Sequence, residues 1–272
     1  MAANSNSSTA YRIPVAPAYK ELFSHFYYAH NPTKQSEIHM LLPSFQQLLV
    51  FIFGKGVLIR QSSGEQIPLK HCALLGPVKK ALCYTLLPST QMLVISFMPG
   101  SFYRFFGSLQ TATNQPIDLV AHGLEDCFTG LHHSLRQLPS PEQKIMAILK
   151  FSDPYLSAKP PILNLIDKAL PAAISPIKHI AATSAQSPRN IQRQHKKVLG
   201  YSAKEILRYE RFLKAIQMLE ATVQKRVKED WFQIIDGCGY YDQSQLIHDF
   251  QHFLSLSPRA YLQLQKSICN PF

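Results

Sequence analysis

Three Ser-Pro dipeptides, Ser175-Pro176, Ser187-Pro188 and Ser257-Pro258, do most to limit what this chain can become. A serine hydroxyl satisfies a free amide at a helix start. Proline, which has no amide and a preset φ, suits the first helical position. Each pair therefore begins a helix. Ser202 with Glu205 adds a capping box, in which two free amides are tied down reciprocally, and Asp242 with Gln245 has the same spacing. Gly200 stands where a helix must stop, in a position that favours positive φ. These signals predict helices over Pro176 to about Ser184, Pro188 to Leu199, Ala203 to Ala221, Asp230 to Asp236, Gln243 to Leu254, and Pro258 to about Lys266. The long one places Ile206, Leu207, Phe212, Leu213, Ile216 and Leu219 on one apolar face. A short helix, a turn and a second helix thus occur twice, joined by one long helix, which is a tandem pair of helix-turn-helix units.

The chain changes character near residue 120. Before it, short apolar runs alternate with turn residues. Gln47 to Phe53 reads as a strand, and Gly54-Lys55-Gly56 turns it into a second, Val57 to Arg60. After the loop Gln61 to Gln66 come Ile67 to Lys70, Cys72 to Leu75, Leu82 to Leu87 and Met92 to Phe97. Strands this short and this regularly punctuated indicate an antiparallel sandwich or barrel. Ser101 to Phe106 reads as a short helix, and Leu124 to Leu138 and Glu142 to Phe151 as longer ones. Asp153-Pro154 and Pro160-Pro161 mark a linker within 151–161. The expected class is a two-domain α+β chain. Residues 1–18 form a disordered tail, 19–120 a β-rich sensor or dimerisation domain, 121–160 a helical connector and linker, and 161–272 a DNA-binding domain.

Composition narrows the functional classes. The 272 residues are 46% hydrophobic and 17% charged, too apolar for wholesale disorder. No apolar run reaches the ~20 residues needed to span a bilayer, and the small, polar N-terminus does not resemble a signal peptide. A cytoplasmic protein without a membrane partner is expected. The five scattered cysteines contain no CxxC pair, so free buried thiols are expected in place of a zinc or redox site. The net charge of +11 favours a polyanionic partner.

Placement of that charge points to the partner. Ser187 to Lys197 reads SPRNIQRQHKK, with Arg189, Arg193, Lys196 and Lys197 and no acid; Asn190 and Gln192 add hydrogen-bonding groups. Arg189, Gln192, Arg193 and Lys196 recur at spacings of three and four, hence on one face. Arginine and glutamine are side chains that read guanine and adenine edges in a major groove. On the second helix of a turn-linked pair, this face is a candidate DNA reader. A solvated basic face is the plainer alternative.

Residues 175–264 resemble the paired helix-turn-helix domain of AraC-type transcription regulators. The resemblance rests on SPRNIQRQHKKVLGYSAKE, RFLKAIQML and GCGYYDQSQLIHDFQHFLSLSPRAYL, with GYYDQS and LSPRAYL the most specific. It implies that each unit's second helix enters a major groove of double-stranded DNA. Arg189, Asn190, Gln192, Arg193, Lys196 and Lys197 would make contact from the first unit, and Gln243, Ser244 and His248 from the second. RNA polymerase, a small-molecule effector and a second copy of the chain are further candidate partners. The chain departs from the family pattern at His195, where an aromatic is usual, at Ala203 for proline and at Ser255 for glycine. His248 and Gln251 stand where relatives are basic. The N-terminal part, about Tyr19 to Val120, resembles the cupin-like sensor regions found before such domains, through LLPSFQQLLVFIFG, LLGPVKK, ISFMPGSFYRFFG and NQPIDL.

An enzyme is the alternative from another class. Metal-dependent cupins need three or four converging ligands. His25, His30, His39, His71, His122, His132 and His133 include no H-x-H pair, so no metal, cofactor or catalytic residue is expected. Phe23, Phe26, Tyr27, Tyr28, Phe102, Tyr103, Phe105 and Phe106 either fill the core or line a ligand pocket. A membrane-surface protein is disfavoured because the basic residues lie on a capped helical unit, not a wide amphipathic stripe.

Overall fold

The computed structural model describes residues 7–61, 64–109, 115–117, 119–120, 122–169, 176–225 and 227–269. Antiparallel sheets come first and helices follow, as expected. The chain divides into two compact units, Met1–Tyr201 and Ser202–Phe272. The first helix-turn-helix therefore belongs to the same unit as the sheets.

Among the described residues nine strands build two sheets: β1 (Thr9–Ile13), β2 (Phe23–Asn31), β3 (Glu37–Leu41), β4 (Leu48–Phe53), β5 (Val57–Arg60), β6 (Gln66–Leu69), β7 (Cys72–Leu75), β8 (Leu82–Leu86) and β9 (Thr90–Phe97). One sheet has the order β1-β2-β9-β4-β7 and the other β3-β8-β5-β6. Strand β4 is the hinge of the packing. All six of its side chains are buried. Leu48, Val50 and Ile52 join Val57, Ile59, Leu82 and Leu86 between the two sheets. Leu49, Phe51 and Phe53 face the other way, into a second core with α2 (Glu125–Arg136) and α3 (Pro141–Ser152). Burial on both faces explains why LLVFIF is apolar throughout instead of alternating. At about 1.5–3 kcal/mol per buried large apolar side chain, this strand anchors the unit.

Three strands depart from the sequence reading. The expected tail 1–18 is corrected from Thr9 onward, because Thr9–Ile13 pairs with Ile13 opposite Phe26 and Thr9 opposite His30. Strand β2 carried no alternating signal, since buried Phe23, Phe26 and Tyr28 are interleaved with His25 and His30; β3 alternates in the reverse sense, with Ile38 and Met40 exposed and Glu37 and His39 half-buried. The cysteine expectation is also corrected in part. Among the described residues Cys72, Cys83, Cys127 and Cys238 are free; of these four Cys238 alone is buried, and Cys127 is exposed. Burial pushes the Cys72 thiol up to about 11, with the Glu125 charge adding to it, which keeps it unreactive.

Beyond α1 (Ser101–Phe106), α2 and α3, a 3-10 turn at Asp153–Tyr155 leads to α4 (Pro161–Ala169), α5 (Pro176–Ser184) and α6 (Pro188–Leu199). The second unit holds α7 (Ala203–Gln224), α8 (Trp231–Cys238), α9 (Gln243–Leu254) and α10 (Pro258–Cys269). The predicted cap at Ser175 lies outside the described residues. In α7 the buried positions are Tyr209, Phe212, Ala215, Ile216 and Leu219, whereas Leu207 and Leu213, expected on the apolar face, are exposed. The face is set by the aromatic cluster of Phe212 with Phe250 and Phe253, at 5.1 and 4.6 Å between ring centres. No helix among the described residues is long and apolar enough to cross a membrane.

Candidate nucleic-acid interface

Helix α6, the first that the sequence offers as a DNA reader, is fixed at both ends by the residues that predicted it. Ser187 Oγ accepts from the Asn190 amide at 3.3 Å, and Pro188 follows at the first helical position. Gly200 closes the helix at φ +81°. A Cβ there would lie 2.7 Å from Pro77 Cγ, so glycine is required by space as well as by backbone. Ile191, His195, Val198 and Leu199 form the buried side. His195 reads in the sequence as a polar surface group, but its Nδ1 donates to the Tyr201 carbonyl at 2.9 Å and its ring packs edge-on against Tyr201. It fills the place an aromatic usually takes.

On the opposite side Arg189, Gln192, Arg193, Lys196 and Lys197 are exposed. Asn190 is half-buried and fully engaged. Its amide donates to Gln186 Oε1 at 2.9 Å, and its oxygen accepts from Arg193 Nη2 at 3.0 Å. Gln194 donates to the same Gln186 oxygen at 3.0 Å. Asn190 thus braces Arg193, and the cationic row stands out from a rigid base.

The C-terminal end of α6 is gripped by the segments flanking β4 and β7. Gln47 Nε2 donates to the Leu199 carbonyl at 3.1 Å, and Phe45 meets Tyr201 edge-on at 5.2 Å. Phe45 itself sits at φ +56°, a conformation costly for an aromatic residue, beside Ser44 and Phe45 amides that both donate to Val78 O. Gln47, Phe45 and Pro77 are not residues that a sequence pattern singles out, since their partners lie more than 100 residues away.

Helix α9, the second candidate reader, starts at Asp242, whose carboxylate accepts from the Gln245 amide at 2.8 Å. Gln245 reaches back to the Tyr241 amide at 2.9 Å, one residue before the position a capping box would use. Gln243, Ser244 and His248 are exposed, as a reader requires. Asp249, one residue on, is 1% exposed and takes Arg208 Nε at 2.6 Å and Arg211 Nη2 at 3.2 Å. Arg211 also lies 4.6 Å over the Tyr240 ring, whose phenol is pushed up chiefly by burial. Nothing local in the sequence marks Arg208 and Arg211, since their partner Asp249 lies 41 and 38 residues away. Arg259, also missed, is exposed in the first turn of α10 and borders a surface pocket with Gln243, Leu246, Ile247 and Ser257. Its signal was available, since the Ser257-Pro258 start places the next residue beside free helix amides, a favoured site for phosphate.

In the sheet-containing unit a cavity of about 90 Å³ lies among Phe23, Leu49, Phe97, Phe105, Phe106 and Phe128, with Cys127, Ser152 and Tyr155 at its edge. Phe23, Phe105 and Phe106 line it. Phe102 and Phe26 are core, and Tyr103 does not reach it. No group of three or more His, Cys, Asp or Glu side chains converges among the described residues. His132 donates through Nε2 to Ile52 O at 2.7 Å and stacks on Phe53, so it is engaged with the core.

Residues 180–264 match the helix-turn-helix domain family. Among curated proteins none matches the chain. Among solved structures, ToxT from Vibrio cholerae O395 bound to (E)-4-(8-methylnaphthalen-1-yl)but-3-enoic acid is 12% identical, covers 95% of this chain and 98% of its own, and has a TM-score of 0.41. An unsaturated-fatty-acid-bound ToxT from Vibrio cholerae strain SCE256 is likewise 12% identical, over 96% and 97%, with a TM-score of 0.39. An RmlC-like cupin protein from Desulfovibrio desulfuricans is 13% identical over 33% of this chain and 81% of its own, with a TM-score of 0.26.

Proposed function

From the premise that residues 180–264 are an AraC-type helix-turn-helix domain, we propose that the chain is a sequence-specific DNA-binding transcription regulator. The observation that carries this reading is the exposed cationic row of α6. It is capped at both ends, buried on its opposite side and braced by an amide ladder. Arg189, Arg193, Lys196 and Lys197 supply phosphate attraction, while Arg193 and Gln192 are placed to read base edges. Gln243, Ser244 and His248 extend the reading from the second unit. The protein acts by binding, and no chemical step is assigned to it. Its place is the cytoplasm, where the DNA of a bacterial-type regulator lies.

The sheet-containing unit is the sensor in this reading. Its cavity has an almost wholly apolar wall, which suits a small hydrophobic effector. A second copy of the chain and RNA polymerase are the protein partners that a regulator of this kind needs. The test is selection of randomised duplexes by the full-length chain, followed by titration of the selected site against salt. Enrichment of a defined sequence, with affinity falling steeply as salt rises, is expected. A folded chain that enriches no sequence would overturn the proposal.

A further inference from the structure

His248 is exposed on α9, one turn beyond Ser244. Its Nδ1 lies 3.0 Å from Nη2 of Arg208. A guanidinium has donors and no acceptor, so the ring nitrogen facing it must accept. The proton of the neutral ring then sits on Nε2, the outward nitrogen. Arg208 is itself immobilised. Its Nε donates to the buried Asp249 carboxylate at 2.6 Å, and its guanidinium lies 5.4 Å from the Phe253 ring centre. Arg211 holds the other carboxylate oxygen at 3.2 Å. One buried carboxylate thus orients one arginine, and that arginine orients one imidazole.

We infer that Arg208 is a positioning residue that fixes His248 as an Nε2–H donor, and that His248 is a specificity-determining residue selecting a base with a major-groove acceptor. The inference rests on the DNA-binding reading above. Guanine, adenine and thymine each present an acceptor in the major groove, whereas the hydrogen-bonding group of cytosine there is the N4 amino donor. A donor-only ring nitrogen therefore rejects cytosine. A lysine or arginine at this position would also grip phosphate whatever the sequence. His248 exchanges that general grip for discrimination, so its contribution belongs in the base profile and not in the salt dependence.

The test uses the full-length chain. Two-bond proton–nitrogen correlations of the imidazole, assigned by their loss in His248→Gln, should show the Nε2–H form in the parent protein. Removing Arg208 alone would leave the buried Asp249 carboxylate with Arg211 on one oxygen and no cation on the other. Arg208→Ala is therefore made together with Asp249→Asn and compared with Asp249→Asn by itself. The ring should keep its tautomer in the single variant and become a mixture in the double. In duplex selection, the parent and Asp249→Asn should disfavour cytosine at one position by roughly fivefold or more. The double variant and His248→Ala should lose that discrimination, and His248→Gln, whose carboxamide carries an acceptor oxygen as well as a donor, should lose it too. An Nδ1–H ring in the parent, a spectrum indifferent to Arg208, or a His248→Ala base profile equal to the parent's would overturn the inference. So would a shallower salt slope with the base profile intact, which would assign His248 to phosphate. A chain that selects no duplex overturns the DNA reading and the reader role together. The ring spectrum needs no DNA and separates that failure from a failure of Arg208 to set the tautomer.

Discussion

The two helices proposed to read DNA begin with the same device, a side-chain oxygen capping the amide three residues on, yet they are equipped differently. Helix α6 carries its own cations, and its far end is held by Gln47 and Phe45 from the segment leading into β4. Helix α9 has no lysine or arginine. Its cations come from α7, where Arg208 and Arg211 are committed to the buried Asp249. A shared backbone motif therefore does not imply a shared role. Where charge stands on the exposed face, a helix supplies attraction. Where charge is folded underneath as a brace, the helix can supply only oriented, largely neutral contacts.

The largest expected effect follows from removing that attraction. Replacing Arg189, Arg193, Lys196 and Lys197 by alanine should weaken binding more than a hundredfold and flatten the salt dependence, since each phosphate contact contributes about −0.9 to the log–log slope. Arg193→Ala alone should cost about 1–3 kcal/mol and relax preference at one base position. His248→Ala should cost less. Titration of folded variants on one operator at fixed salt decides the ranking. If His248→Ala is the more damaging, the comparison is inverted and α9 is the principal reader.

A second effect concerns the anchoring of α6. Gln47→Ala leaves the buried Leu199 carbonyl without its donor, at a cost of about 1–3 kcal/mol. The expected outcome is a lower unfolding midpoint and a footprint that fades at the bases read by α6 while those read by α9 stay protected. Uniform fading would show that Gln47 serves only general stability.

The third effect is acid sensitivity confined to the sheet-containing unit. Burial lowers the pKa of His132 and of His25, with Arg12 adding to the second. Below the ordinary histidine value near 6.5, the unfolded chain takes up protons that the folded chain refuses. Their stabilising contribution is therefore complete above about pH 6.5 and is lost as pH falls toward the depressed folded values. Amide exchange of the full-length chain between pH 7 and 5 should show protection falling first in β4 and α2, around His132. His132→Phe should flatten that slope, and an unchanged slope would exclude His132 as its source.

The parts legible in the sequence are those fixed by neighbours along the chain. Ser187, Ser202, Asp242 and Ser257 each accept the amide that their spacing predicts. The apolar run of β4 was readable because burial on both faces writes itself into six consecutive residues. What escaped was set by distant partners. Asp249 looks like an ordinary surface acid until Arg208, 41 residues earlier, is placed beside it. Gln47 looks like a strand-edge polar residue until Leu199 arrives 152 residues later. Strand β2 escaped for another reason: its histidines break the alternation, and pairing with β1 and β9 holds it in the sheet nonetheless.

The smallest expected effect tests how the two helices end. Helix α6 stops on Gly200, for which φ +81° carries no Cβ penalty. Helix α9 stops on Ser255 at φ +58°, the same left-handed region, with its amide donating to Gln251 O at 3.0 Å. A side chain there crowds the following carbonyl and costs roughly 1–2 kcal/mol, although the extra freedom glycine has when unfolded offsets part of the gain. Ser255→Gly should therefore stabilise the second unit by about 0.5–1 kcal/mol without altering any residue of the reading face. Thermal unfolding should shift upward by a few degrees, and the selected DNA sequence should stay the same. A neutral or negative shift would mean that Ser255 makes a compensating contact. A changed sequence preference would mean that the end of α9, and not only its exposed face, takes part in reading.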